Sequence, residues 1–250
     1  MRTDTETLLT DLKLNRDMRT GIIVAMGKEL KQMKDLIKNR EIVSTESGDE
    51  IITGEVGNNE IILTKSGIGK VCSAIKCMEI INRFAPDCII NTGVAGGLGN
   101  VAKPLDVVIG TDTTYHDAWC GEGSPRGQIS GFPTAFPCDA QLTERILDIC
   151  KGMSEYSIYP GRLCSGDSFI ADKTDYERIQ REFPDAVAVD MESTAIAQVC
   201  YMKKTKFACM KIISDIAVGD SKENIALYND FWNIAPEISF NIIKSIIEKL

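Results

Sequence analysis

The sequence predicts one α/β domain with a largely parallel central sheet covered by helices on both faces. Two observations carry this. Short apolar runs alternate with amphipathic helical patterns along the chain, the signature of β-α units. The length of 250 residues suits one such domain, and neither a linker, a low-complexity tract nor an internal repeat divides it.

The elements follow in order. Residues 1–19 hold four acids and four bases and read as an N-terminal extension before a domain over 20–250. Residues 21–26 (GIIVAM) form a buried strand. Residues 28–39 follow as a helix with Leu30, Met33 and Ile37 on one face. Residues 50–56 and 60–65 pair around the turn at Gly57, Asn58 and Asn59. Residues 70–84 are helical, and Pro86 stops that helix. Strands are expected at 87–92, within 104–114, at 157–164, 186–189 and 207–213. Helices are expected at 140–153, 175–182 and 191–202, and one or two closing helices within 229–250. Residues 121–137, rich in Gly, Pro and Ser, are the longest structureless stretch, a length more often functional than idle.

Composition removes several functions. The chain has 28 basic and 36 acidic residues, a net charge of −8, which argues against binding a nucleic-acid backbone. Nine cysteines cannot all pair with each other, and none form a CxxC, so they read as thiols in a reducing cytoplasm. The first residues lack an apolar signal segment, and no apolar run is long enough to span a membrane. The lone histidine, His116, confines every His-dependent triad or metal site to one position, and no cluster has zinc spacing. No metal or other cofactor is expected. Two glycine-rich runs fail as nucleotide loops. Before Gly69-Lys70, the P-loop glycine position holds Thr64, and residues 93–99 lack the G-x-G-x-x-G spacing.

What remains is acidic. Glu29, Glu192 and Asp215 each stand just beyond a strand's carboxyl end, where open α/β sheets place ligands. Each alone could be a helix-start carboxylate favoured by the helix dipole. Three around one sheet edge suggest a shared pocket, although periodicity alone does not identify the reaction.

The motifs do more. GIIVAMGKEL, KSGIGKV, IINTGVAGGL, YHDA, SGDSFI, FPDAVAVDMESTAIA and KIISDIA, in this order from Gly21 onward, resemble the 5′-methylthioadenosine/S-adenosylhomocysteine nucleosidases of the nucleoside phosphorylase superfamily. The resemblance implies a mixed, barrel-like sheet, a homodimer, and hydrolysis of the N-glycosidic bond of a 5′-thioadenosine nucleoside. By it, Asp215 is the acid at purine N7, Glu29 activates water and Glu192 holds the ribose hydroxyls. Phe169 and Ile170 meet the adenine, Ala95 and Gly96 form the turn beside it, and Met191 lies under the ribose. Ser214 adjoins the acid, and Met26 and Ile68 approach the 5′ group. Four positions depart from the pattern. Val94 replaces a common Ser, Asp190 a more frequent Glu, Lys211 an Arg, and Tyr228, near the 5′ tail, a Phe. Residues 119–130 (Trp119 to Ser130), which the resemblance places near the neighbouring subunit's site, lack the usual aromatics beyond Trp119 itself. The tail pocket is then wider, wetter or built from Trp119.

Three other readings stay open at this level, one of them a nucleosidase for an adenosine with a different 5′ group. A phosphorylase on the same fold needs a cationic phosphate cradle, for which Arg126 and Arg162 are the nearest candidates. A non-catalytic nucleoside-binding protein would have no need to keep all three carboxylates.

Overall fold

The structure, a computed structural model, describes residues 18–45, 49–99, 102–153, 157–216, 221–234 and 236–250. β1 (Arg19–Val24) leads into α1 (Gly27–Lys34), and β2 (Lys38–Ser44), β3 (Glu50–Val56) and β4 (Asn59–Lys65) form a meander. Next come α2 (Lys70–Phe84), β5 (Cys88–Gly97), β6 (Val107–Tyr115), the short β7 (Phe136–Pro137), α3 (Ala140–Cys150) and β8 (Ile158–Ser165). The chain finishes with α4 (Lys173–Glu182), β9 (Ala186–Asp190), α5 (Ser193–Lys203), β10 (Lys206–Ile216), α6 (Ser221–Ile234) and α7 (Pro236–Lys249).

The sheet is mixed and closes on itself. β4, β1, β5 and β10 run parallel to one another, and so do β6, β8 and β9. The two sets meet antiparallel where β10 pairs β6 and where β9 pairs β5. The ring β5-β10-β6-β8-β9 is therefore a small barrel, from which β1, β4, β3 and β2 extend as an open sheet. β5 makes this possible by changing partner. Its first half pairs β1, and Gly96 and Gly97 pair Val189 and Ala188 of β9.

Strand alternation divides the core in two. Ile22, Val24, Ile90, Met210 and Ile212 face α3 and α7 with Ile146, Phe240 and Ile243. Ile23, Ile89, Cys209 and Ile213 face α2 and α5 with Ile80, Ile196 and Cys200. Seven of the nine cysteines are buried, Cys72 and Cys120 being the exposed pair.

Several elements differ from expectation. The helix expected over 28–39 ends at Lys34, and Lys38 opens β2. Asn39 takes a left-handed φ of +51°, which an α-helix excludes. β2 is an edge strand exposed at every residue but Val43, so it shows no alternation to read. β5 and β10 also run further than expected, through glycines and an aspartate that resemble turn residues in one dimension. β7, a two-residue strand, lies inside the stretch expected to be structureless.

Candidate active site

The carboxyl ends of both parallel sets converge halfway along β5. There they border a cleft of about 510 Å³ lined by Met26, Glu29, Ile68, Val94, Ala95, Gly96, Phe169, Asp190, Met191, Glu192, Ser214, Asp215 and Tyr228, with Ala25 and Val189. The structure thus brings all but one of the residues assigned from sequence to one wall. Ile170, the remaining one, lines a smaller adjoining cavity with Ser168, Phe169 and Asp215.

Glu29 is the third residue of α1 and is 1 % exposed. Its Oε2 accepts from the backbone N–H groups of Ala25 and Met26, both at 2.8 Å, the return half of a capping box. A cap explains only one oxygen. The other, Oε1, accepts from Val94 N–H of β5 at 3.0 Å, which joins the helix start to the barrel wall. This approach requires Gly93. A Cβ there would lie 2.3 Å from Oε1, and the backbone has a φ of +141°. Burial raises the Glu29 pKa, opposed by the Lys211 ammonium and the three N–H donors.

Glu192 stands at the N-cap of α5, and its Oε1 accepts from Gly69 N–H at 2.8 Å. Desolvation, reinforced by the Asp190 charge, pushes its pKa up to about 7. Asp190 ends β9 beside it and behaves differently. Its Oδ1 accepts from Ser165 Oγ at 2.5 Å, its Oδ2 from Ser193 Oγ, and Lys211 Nζ lies 2.9 Å from Oδ2. Burial works against its charge, but Lys211 and the two serines hold its pKa below the ordinary value. Asp190 therefore borders the cleft with both oxygens engaged by the protein.

Asp215 is the exception among these acids. A β-bulge at Ser214 shifts the β10 register, so that Ile213 pairs Ala95 while Asp215 pairs Gly96. Ser214 Oγ donates to Oδ1 at 2.6 Å, and Oδ2, fully buried, has no partner. Burial pushes the pKa up to about 6, against the Ser214 hydrogen bond. Asp215 thus presents a carboxyl with one unpartnered oxygen to the same cleft that Glu29 and Glu192 line.

Lys211 was legible as a sequence departure without an evident task. It is 1 % exposed, and its pKa rises, against desolvation, because Asp190, Glu192 and Glu29 surround it. A single lysine inside the otherwise apolar Met210–Ile212 run of β10 is the signal that could have found it.

The cation candidates for a phosphate cradle lie elsewhere. Arg162 pairs with Asp112 at 2.5 Å, and Arg126 stacks on Trp119 at 4.2 Å; neither lines the cleft. Trp119 is half exposed, donates to Ser124 O within its own loop, and does not line this chain's cleft. His116 is buried with neither ring nitrogen partnered, and burial lowers its pKa.

An isolated buried acid and an opposed buried carboxylate, at the rim of a closed mixed sheet, suit cleavage of a nucleoside. The chain matches the family model of the phosphorylase superfamily over residues 19–248. It is similar to the 5′-methylthioadenosine/S-adenosylhomocysteine nucleosidase of Neisseria meningitidis, solved in complex with methylthio-immucillin-A. That match has 34 % identity and a TM-score of 0.88, over 94 % of this chain and 100 % of that one. The S-adenosylhomocysteine nucleosidase of Streptococcus pyogenes matches at 29 % identity and a TM-score of 0.87, over 94 % and 98 % of the two chains. The nucleosidase of Streptococcus pneumoniae, solved with a transition-state inhibitor, matches at 30 % and 0.86, over 93 % and 99 %. The chain belongs to the 5′-methylthioadenosine/S-adenosylhomocysteine nucleosidase family within the phosphorylase superfamily.

Proposed function

We propose that this protein hydrolyses the N-glycosidic bond of 5′-methylthioadenosine and S-adenosylhomocysteine, releasing adenine with 5-methylthioribose or S-ribosylhomocysteine. The observation that carries this is the buried, unpartnered Oδ2 of Asp215 in the same cleft as Glu29 and Glu192.

The purine lies toward Asp215 and the ribose over Met191 and Glu192. As the C1′–N9 bond breaks, its electron pair leaves with adenine, and Asp215 delivers a proton to N7. Burial keeps that proton on the carboxyl to about pH 6. Positive charge develops on the ribose beside Glu192, whose carboxyl titrates near 7 in the empty cleft; that charge draws it toward its ionised form, which stabilises the transition state more than the ground state. Water adds to C1′ and gives its proton to Glu29. Burial makes Glu29 a stronger base than a surface glutamate, while its three N–H donors keep the anion accessible. Ser214 orients the acid, and Asp190 holds Lys211 as the counter-charge behind the site.

Hydrolysis is favoured over phosphorolysis because, among the described residues, no Lys or Arg lines the cleft while the Glu29 carboxyl does. A phosphate dianion there would meet a carboxylate. No helix among the described residues is long and apolar enough to cross a membrane. The reading extends to a cytoplasmic enzyme of methionine salvage that works as a homodimer. Val71, Ile75, Ile68 and Trp119 are exposed apolar side chains of the kind that a second copy covers. The test is adenine release from 5′-methylthioadenosine in phosphate-free buffer. Turnover without phosphate is expected, and strict phosphate dependence would transfer the chain to the phosphorylases. A monomer in solution scattering would remove the dimer.

A further inference from the structure

The cleft has two ends of different chemistry. One end opens into the smaller cavity lined by Gly96, Ile170 and Asp215 and carries the proton donor. Glu29 and Glu192 line the main cleft but not that cavity, and Met26, Ile68 and Tyr228 supply the remaining wall. A nucleoside with its base at Asp215 and its ribose at Glu192 directs its 5′ substituent to that wall. This end opens outward, because Ile68 is 54 % exposed and Phe169 is 48 % exposed.

Among the described residues, the side chains there are apolar with one exception, the Tyr228 hydroxyl. Its Oη donates to Met26 Sδ at 3.4 Å, and a thioether is a weak acceptor. The ring is held edge-on against Phe169, with centroids 5.6 Å apart, and against Trp232 at 6.3 Å. The hydroxyl is thus fixed in place with its donor capacity spent on a poor partner.

We propose that Tyr228 is a specificity-determining residue for the 5′ substituent. On binding a nucleoside with an acceptor oxygen at the 5′ position, the hydroxyl exchanges the Met26 sulfur for that oxygen. A 5′-thioether offers only another weak acceptor, so the exchange gains nothing. Tyr228 therefore widens the substrate class toward 5′-ether and 5′-hydroxyl adenosine nucleosides, compared with a phenylalanine at the same position. This rests on the reading of the cleft as an adenine nucleoside site.

The experiment compares kcat/KM for 5′-methylthioadenosine and its oxygen counterpart 5′-methoxy-5′-deoxyadenosine, in the wild type and in Tyr228→Phe. The ether-to-thioether ratio of kcat/KM should fall about fivefold in the variant, the scale of one neutral hydrogen bond. Equal changes on both substrates, or no change on either, would overturn the proposal. Calorimetric binding of the same two nucleosides to Glu29→Gln protein, with and without Tyr228→Phe, separates the two levels of the argument. Binding of both without an ether-selective loss overturns the role of Tyr228 alone. Binding of neither overturns the reading of the cleft and the proposal with it.

Discussion

β9 and β10 each end in a buried aspartate, and the fold treats the two in opposite ways. Asp190 meets two serine hydroxyls and a buried ammonium. Asp215 meets one serine and leaves Oδ2 bare. The same side chain, equally hidden from water, is thereby held ionised in one place and protonated well above its ordinary range in the other. Burial alone does not make an acid catalytic; the count of donors around it decides which proton state survives. Within the protein, Asp190 has both oxygens engaged, whereas Asp215 keeps one oxygen without a partner.

The largest effect should come from Asp215→Asn. It keeps the shape and removes the transferable proton, so kcat for adenine release should fall about 10²- to 10⁴-fold. Its melting temperature at pH 8 should be no lower than the wild type's, because the change removes a buried carboxylate that lacks a partner. The sign follows from linkage. A folded-state pKa of about 6 against an ordinary 3.8 means that Asp215 costs stability increasingly as pH rises through that interval.

Asp190→Ala should invert the pattern. It strands Lys211 in the core and should cost about 3–5 kcal/mol of stability by denaturant titration. Asp190→Leu combined with Lys211→Met should recover most of that loss, since replacing a buried pair with apolar groups is near neutral. Asp190 contributes stability that is complete above 3.8 and lost as pH falls through its lower folded-state value.

Gly93→Ala gives a smaller, local effect. Its Cβ would displace Glu29 Oε1, so kcat should drop about tenfold or more while the thioether KM changes little. The smallest effect is expected from Arg162→Ala. The arginine is partly exposed and paired outside the cleft, so adenine release should stay within about twofold and remain independent of phosphate. A large loss there would reopen the phosphorylase reading.

Much of this contrast was legible in the sequence. Glu29, Glu192 and Asp215 stood out because acids rarely follow apolar strand runs without a task. The end of α2 could be read from Pro86 shortly beyond it. The family motifs then supplied the roles. What escaped was everything set by pairing across distant strands. The barrel closure depends on β5 exchanging β1 for β9 at Gly96, which local periodicity does not encode. The engagement of Asp190 depends on Ser165, Ser193 and Lys211, from three different elements. The bulge at Ser214 that sets Asp215 into its register is likewise a property of the β5–β10 pairing. β2, exposed along most of its length, offered no hydrophobic pattern at all.

The most direct test is a ¹³C-carboxyl NMR titration of the aspartates in the ligand-free protein, with Asp215→Asn and Asp190→Asn used to assign the two signals. Asp215 should titrate near 6, and Asp190 should remain ionised below 3.8. An Asp215 carboxyl that loses its proton at or below 3.8 would contradict the account, because the group assigned to protonate adenine would hold no proton at the pH where the enzyme works.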